Sequence, residues 1–233
     1  MWHAKASGGY VRTTQEAQDN AIEIANVLYN MNWCKEAICA LLGNGAGESG
    51  LNPWRWEEVT GYPLVPATTD NWGFRGYGIF QFTPATKYIN STVAAQYANK
   101  GYSPNFSNSS GNAKDGAAQC AYFADNVEND WLKQLYGYYY PDFMNIGVDI
   151  TPWYYTTYPN FIDGVDNNGN PLTLDELVGV FELTYERPGA SYAAASYNTR
   201  CLNAAYWMNV LPDSPTNFPY WLLFKFADWR KPK

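Results

Sequence analysis

Glu48 stands where a helical pattern gives way to turn residues, in the run GESGLNP at 47–53. A second run, GYGIFQFTP at 76–84, combines turn-forming glycines with an amide side chain, Gln81. A carboxyl group held in its protonated form over a glycosidic bond is the minimum equipment for cutting a polysaccharide. The first chemistry that these residues suggest is therefore proton donation by Glu48.

A proton donor at neutral pH needs a special environment. A free glutamate has a pKa of about 4.3 and is mostly ionised at neutral pH. Burial among apolar and aromatic groups favours the neutral form. Trp54 and Trp56 follow Glu48 closely, and Tyr77 and Phe80 belong to the second run. We therefore expect Glu48 to lie among these aromatic side chains.

Gln81 is the second polar candidate. The pattern favours a strand over 77–83, on which Gln81 faces away from Phe80 and Phe82. There it could donate a hydrogen bond to a sugar or align a water molecule. The alternative is an ordinary polar residue of a strand.

A second carboxylate would decide the reaction mechanism. Glu57 is the first candidate and Asp70 the second, with Glu58 also in the same segment. A separation of about 6.5–9.5 Å from Glu48 would suit inversion through an activated water, and about 5 Å would suit retention. Each candidate can also be read as a surface acid. Without a second carboxylate, Glu48 acting alone would leave intramolecular closure to an anhydro-sugar possible.

Further candidates come from a later helix. Glu186 can line the same groove, but an ion pair with Arg187 or Arg200 explains it equally well. Tyr185 suits a groove wall. The predicted substrate-contacting residues are Ser49, Trp56, Tyr77, Gln81 and Tyr185, and the predicted catalytic residues are Glu48, Glu57 and Asp70.

No metal or cofactor is expected. The run DGVDNNG at 163–169 approaches a calcium loop, but Gly164 falls where a carboxylate belongs, so a plain turn is favoured. The single histidine and the absence of a Cys-x-x-Cys pair argue against a zinc site. The four cysteines fall on apolar helix faces, which favours buried thiols over disulfides. They are Cys34, Cys39, Cys120 and Cys201.

These residues must be positioned by a mainly α (α+β) domain. Apolar periodicity and capping signals, among them capping boxes at Thr13 and Thr173, predict about six helices. They cover 13–31, 32–48, 84–99, 114–136, 173–187 and a last helix that carries 197–211. A small β element is predicted between the second and third helices. We divide the chain into a loose N-terminal leader at 1–12, a domain at 13–211 and a C-terminal tail at 212–233 packed on the domain.

Composition excludes several function classes. The net charge of −7 and the pI of about 4.7 argue against nucleic acid as a partner and against long-range attraction to an anionic cell wall. A wall-cutting enzyme with this charge would need a tether. No apolar run is long enough to predict membrane insertion. The start shows no signal peptide, which suits a non-secreted protein or a piece of a longer one.

At these motifs the chain resembles the phage tail lysozyme family of the lysozyme-like superfamily. The resembling segments are 43–44, 47–53, 56–57, 77–88, 186–189, Arg200 and 205–207, within about 13–211. One departure is Phe82, where a tryptophan is common. The resemblance implies a lysozyme-like fold with Glu48 as the acid and with Gln81 and Glu57 in the site.

The resemblance also implies a function. It implies a muramidase that cuts the β-1,4 bond between N-acetylmuramic acid and N-acetylglucosamine in peptidoglycan. The enzyme would act in the bacterial cell wall from the phage virion tail, beside other tail proteins or further domains of its own chain. The alternatives are a lytic transglycosylase, which forms 1,6-anhydro products, and a non-catalytic glycan-binding or structural tail module.

Overall fold

A computed structural model describes residues 1–5, 8–58, 75–104, 115–131, 136–153 and 155–215. These residues form a mainly helical protein, as predicted. Its α-helices are α1 Gln15–Asn30, α2 Lys35–Glu48, α3 Ser91–Asn99, α4 Asp115–Asp130, α5 Tyr136–Asn145, α6 Tyr158–Ile162, α7 Leu174–Phe181 and α8 Ala190–Val210. A π-helix, Glu182–Glu186, directly continues α7. Among the described residues, no helix combines the length and apolar character needed to cross a membrane.

The prediction of about six helices is not confirmed, because the described residues contain eight α-helices. The two additional helices, α5 and α6, lie almost entirely between the predicted helices 114–136 and 173–187. Helix α6 has only five residues, and α5 carries Pro141 in its interior. Short helices with such interruptions bury too few residues to produce a clear helical repeat.

The small β element is not confirmed among the described residues, where pairing is limited to isolated bridges such as Tyr77–Phe82. The predicted strand at 77–83 is instead a tight turn. Gly78 and Gln81 have φ angles of 80° and 44°, which a strand cannot contain. Part of the predicted element, 59–74, lies outside the described residues.

The helix starts agree only partly with the capping signals. The capping box of Thr173 and Glu176 at α7 is confirmed. Helix α1 is capped by Thr14, whose side chain accepts from the Ala17 amide, and not by Thr13. The helix predicted over 32–48 begins instead at Lys35, with the Cys34 sulfur as its cap. All four cysteines are free thiols, and Cys34 is the one that keeps some exposure.

Helix α2 is the central helix, and its packing against α8 sets the position of the site. Its residues 37–45 are all buried. A Cβ atom added at Gly43 would lie 2.7 Å from the Arg200 carbonyl oxygen and 2.8 Å from Ala204 Cβ. The missing side chain at Gly43 therefore allows α8 to approach closely enough for Arg200 to reach the end of α2.

The N-terminal residues are held against the domain where the structure describes them. The Asn52 side-chain amide donates to the Lys5 carbonyl at 2.7 Å and to the Gly8 carbonyl at 2.9 Å. The Tyr10 amide donates to the Gly50 carbonyl at 2.9 Å. Of the predicted tail, residues 216–233 lie outside the described part of the chain.

Candidate active site

Glu48 is the last residue of α2, as the sequence indicated. Its Oε1 accepts from Arg200 Nη2 at 2.5 Å, so the carboxylate forms an ion pair with α8. The two partners differ in exposure, because 26% of the Glu48 side chain is accessible and only 2% of the Arg200 side chain. The pair thus joins a partly exposed carboxylate to a buried guanidinium cation.

Arg200 has further partners on three elements. Its Nη1 donates to Asn44 Oδ1 on α2 at 2.8 Å, and its Nε lies 2.9 Å from Glu182 Oε1 on the π-helix. The Ser196 hydroxyl, one turn earlier on α8, is 3.2 Å from the same Nε and donates to Glu182 Oε1 at 3.0 Å. These bonds fix the guanidinium between two carboxylates.

The π-helix carries two glutamates, Glu182 and Glu186, whose carboxyls both lie near Arg200. Its wider turn is closed by a bond from the Arg187 amide to the Glu182 carbonyl at 2.7 Å, and Arg187 has a left-handed φ of 53°. π-Helical turns are rare and often occur at functional sites. Glu182 and Glu186 lie one such turn apart, and both carboxyls are within electrostatic reach of Glu48 and Arg200.

Burial changes the protonation of these two glutamates. Burial raises the pKa of Glu182 to about 7, with a smaller contribution from the charge of Glu48, while Arg200 and Ser196 oppose the change. Burial, followed by the charge of Glu48, raises the pKa of Glu186 to about 8. Glu186 keeps some accessible surface, but its carboxyl is surrounded closely enough for burial to dominate.

The cluster therefore holds protons at neutral pH. Three carboxyls, those of Glu48, Glu182 and Glu186, face the buried Arg200, with the exposed Arg187 further out. If all three were ionised, two negative charges would be left without a buried counter-charge, which a low-dielectric site disfavours. Such a group of acids can supply a proton to a neighbouring substrate.

A hydrogen bond joins the two sequence motifs. The Ser49 hydroxyl donates to the Ile79 carbonyl at 2.7 Å, and the Gly78 amide donates to the Arg55 carbonyl at 2.7 Å. The turn that carries Gln81 is thereby attached to the end of α2. The Gln81 side-chain amide donates to the Gly78 carbonyl at 2.8 Å and remains partly exposed.

A buried polar network from helix α4 holds this turn in place. The Gln119 amide oxygen accepts from the Ile79 amide at 2.9 Å, and its nitrogen donates to the Pro53 carbonyl and to Asp115, each at 2.7 Å. Asp115 also accepts from the Tyr77 hydroxyl at 2.9 Å. Helix α4 therefore supports both motif segments.

A comparison with known sequences decides the family. The sequence profile of phage tail lysozymes matches residues 19–211. This chain belongs to the phage tail lysozyme family. The match covers most of the chain and confirms the resemblance drawn from the motifs around Glu48 and Gln81.

The chain is also similar to morphogenesis protein 1 of Bacillus phage B103, with 41% identity over 76 residues. The matched residues make up 33% of this chain and 18% of the relative. The alignment thus spans far less than two thirds of that relative's length. Together the two matches identify a phage-associated, lysozyme-like protein.

Three predicted substrate-contacting residues are buried. Ser49 and Trp56 are each 1% exposed and Tyr77 is 4% exposed. The Trp56 ring packs 4.7 Å from the Tyr77 ring, with the Arg75 guanidinium over its face at 5.6 Å. In this structure the three side chains make packing and hydrogen-bond contacts within the protein.

The two predicted second carboxylates, Glu57 and Asp70, have no described contact with Glu48. Glu57 is exposed, and its Oε2 accepts from the Gly76 amide at 2.8 Å. Asp70 lies outside the described residues. Tyr185, the predicted groove wall, is partly exposed, and its ring stacks on Phe181 at 5.2 Å.

Sequence reasoning missed Glu182 and gave no role to Asn44. Arg200 was considered as a partner for Glu186, whereas its described bonds lead to Glu48, Asn44 and Glu182. One signal was present in the sequence, because Glu182 interrupts an otherwise apolar helical face. A buried glutamate in such a position needs a cation nearby.

Proposed function

We propose that this phage tail lysozyme is a muramidase with Glu48 as its general acid. It hydrolyses the β-1,4 bond between N-acetylmuramic acid and N-acetylglucosamine in peptidoglycan. The observation that carries the proposal is the position of Glu48 at the exposed edge of a proton-holding carboxyl cluster. Membership of the family supports the same reaction class.

Glu48 suits proton donation because of its exposure. A general acid must come within hydrogen-bond distance of the leaving oxygen, and Glu182 is too deeply buried to do so. The 26% accessible surface of the Glu48 side chain leaves this carboxyl open to contact from solvent. A bound sugar would also exclude water, and exclusion of water favours the neutral form of a carboxyl.

Glu186 joins Glu57 and Asp70 as a candidate second carboxylate. It is partly exposed, and its carboxyl feels the charge of Glu48. In this role Glu186 would act in its ionised form, which becomes the major form only above a pKa of about 8, and would activate the water or stabilise the positive charge that develops on the sugar ring. The side-chain amide of Gln81 and the ring of Tyr185 are proposed to contact the glycan.

We place the enzyme on the phage tail, where it opens the cell wall as the phage enters its host. The net charge of −7 gives it no attraction to an anionic wall. Attachment to the tail, through other tail proteins or further domains of its own chain, would replace affinity by a high effective concentration.

The test compares the parent with Glu48→Gln on purified peptidoglycan, with mass analysis of the products. We expect Glu48→Gln to lose about 10²–10⁴-fold in rate, the usual contribution of a general acid, while the melting temperature stays nearly unchanged. The matched control is Glu36→Gln, which changes an exposed glutamate in the first turn of the same helix and should retain full activity.

The products distinguish the alternatives. Reducing ends indicate hydrolysis, and 1,6-anhydro ends indicate a lytic transglycosylase. Full activity of Glu48→Gln would rule out Glu48 as the acid. If the parent binds glycan but produces no cleavage at any pH, the chain is a non-catalytic tail module.

A further inference from the structure

One buried guanidinium is shared by two carboxylates of different exposure. Arg200 Nη2 lies 2.5 Å from Glu48 Oε1, and Arg200 Nε lies 2.9 Å from Glu182 Oε1. The Glu182 side chain is fully buried, and its Oε2 has no hydrogen-bond partner among the described residues. A buried carboxylate with one bare oxygen is poorly stabilised, so Glu182 gains by taking a proton.

We propose that Glu182 and Arg200 are positioning residues that decide, through their own ion pair, whether Glu48 carries a proton. When Glu182 is neutral, Arg200 pairs with Glu48 and keeps it as a carboxylate. When Glu182 is ionised, it takes over the charge of Arg200, and Glu48 can be protonated. The inference rests on the proposed role of Glu48 as general acid.

The two arrangements carry the same net charge. In the exchange, one proton leaves the Glu182 carboxyl and one proton arrives at the Glu48 carboxyl, while Arg200 stays charged throughout. Because Arg200 already touches both acids, neither arrangement creates an unpaired buried charge. Binding of a sugar beside Glu48 excludes water there, which favours the arrangement with a neutral Glu48.

The other titratable groups around Glu182 do not replace it in this role. Tyr139 on α5 and Tyr197 and Cys201 on α8 are close enough to feel its charge. Burial raises the pKa of all three, so they stay neutral near pH 7. Glu186 is the remaining charged neighbour on the π-helix, and it responds to Arg200 less directly, without a described ion pair.

The first test does not depend on activity. Carbon-13 NMR of labelled glutamate side chains follows the titration of Glu182 in the parent and in Glu48→Gln. We expect the Glu182 titration to move to lower pH by roughly one unit in Glu48→Gln, because Arg200 is then free to hold Glu182 alone. Glu36→Gln, the control on the same helix, should leave the titration in place.

The second test uses the pH profile of kcat/KM for wall cleavage. In Glu182→Gln, Arg200 pairs with Glu48 permanently. The alkaline limb, where kcat/KM falls with rising pH, should therefore move to lower pH. At a fixed pH on that limb, kcat/KM should be about tenfold lower for each pH unit of the shift. In the double variant Glu182→Gln/Arg200→Gln the competing cation is gone, and the limb should return toward its position in the parent. A merely structural role would lower the rate of both variants at every pH and leave the limb unmoved.

The outcomes separate this inference from the proposed function. A Glu182 titration that is the same in the parent and in Glu48→Gln would overturn the coupling, even in an active enzyme. A parent that fails to cleave the wall, while Glu182 still shifts, would overturn the muramidase assignment and leave the coupling standing.

Discussion

Arg200 Nη2 lies 2.5 Å from Glu48 Oε1, although the two residues are 152 positions apart in the sequence. The ion pair connects the end of α2 to the middle of α8, and the same guanidinium reaches the buried Glu182. Glu48 is thus part of a charge cluster that three elements build. Substitutions in the buried part of this cluster, at Arg200 and Glu182, should therefore change the stability of the protein as well as its activity.

Removal of Arg200 should destabilise the protein in a pH-dependent way. At pH 8, Arg200→Met leaves Glu182 as an unpaired buried charge or forces it to bind a proton, and losses of about 3–5 kcal/mol are typical for such a broken pair. At pH 5 Glu182 is already neutral, so the loss should be clearly smaller. Urea unfolding at the two pH values measures the difference.

The control for this prediction is Arg55→Met. Arg55 pairs with Glu58, which is 68% exposed, and exposed pairs contribute only about 0–1 kcal/mol. Its effect should be small at both pH values. An equal loss for Arg200→Met at pH 5 and pH 8 would contradict the pH-dependent charge of Glu182.

Glu182 should also make the folded state less stable as the pH rises. Its folded pKa of about 7 lies above the value of about 4.5 in a free side chain, so the folded state binds more protons between these values. The stability that this group contributes is therefore fully present below about pH 4.5 and is lost as the pH rises through 7. Glu182→Gln should flatten the fall in unfolding free energy between pH 4.5 and 7.5, by at most about 1.4 kcal/mol per pH unit. An unchanged slope in urea titrations would show that Glu182 is ionised throughout.

Glu186→Gln should affect catalysis more than Glu57→Gln does. Glu186 lies in the electrostatic field of Glu48, whereas the Glu57 side chain is exposed and bonded to the Gly76 amide. We expect Glu186→Gln to lower kcat by about 10²-fold or more, as loss of a catalytic carboxylate does. Steady-state rates on soluble glycan fragments measure both variants. The reverse order would make Glu57 the second carboxylate.

Replacement of two glycines of α2 by alanine should change the stability of the protein in opposite directions. At Gly43 the added Cβ meets the Arg200 carbonyl at 2.7 Å, so Gly43→Ala should push α8 away and destabilise by about 1–3 kcal/mol, with loss of activity. At Gly47 nothing lies within 4 Å of the added Cβ, so Gly47→Ala should stabilise by about 0.5–1 kcal/mol through helix propensity. Thermal unfolding of both variants decides whether the close α2–α8 contact is required.

The sequence was most informative where the signal is local. The end of α2 at Glu48 follows from the change of helical periodicity into turn residues, and the start of α7 follows from the capping box at Thr173. The mainly α class follows from the apolar repeat of the long helices. Short elements such as α6 were missed because five residues are too few to show a repeat.

The sequence by itself determined the family and the candidate acid, because the motif around Glu48 is contiguous and its chemistry belongs to one side chain. The environment of that acid was decided by the tertiary structure alone. Arg200 reaches Glu48 because Gly43 admits α8 against α2, and Glu182 meets the same guanidinium from the start of the π-helix. Burial and charge depend on contacts between distant residues, and such contacts leave no periodic pattern in a single sequence.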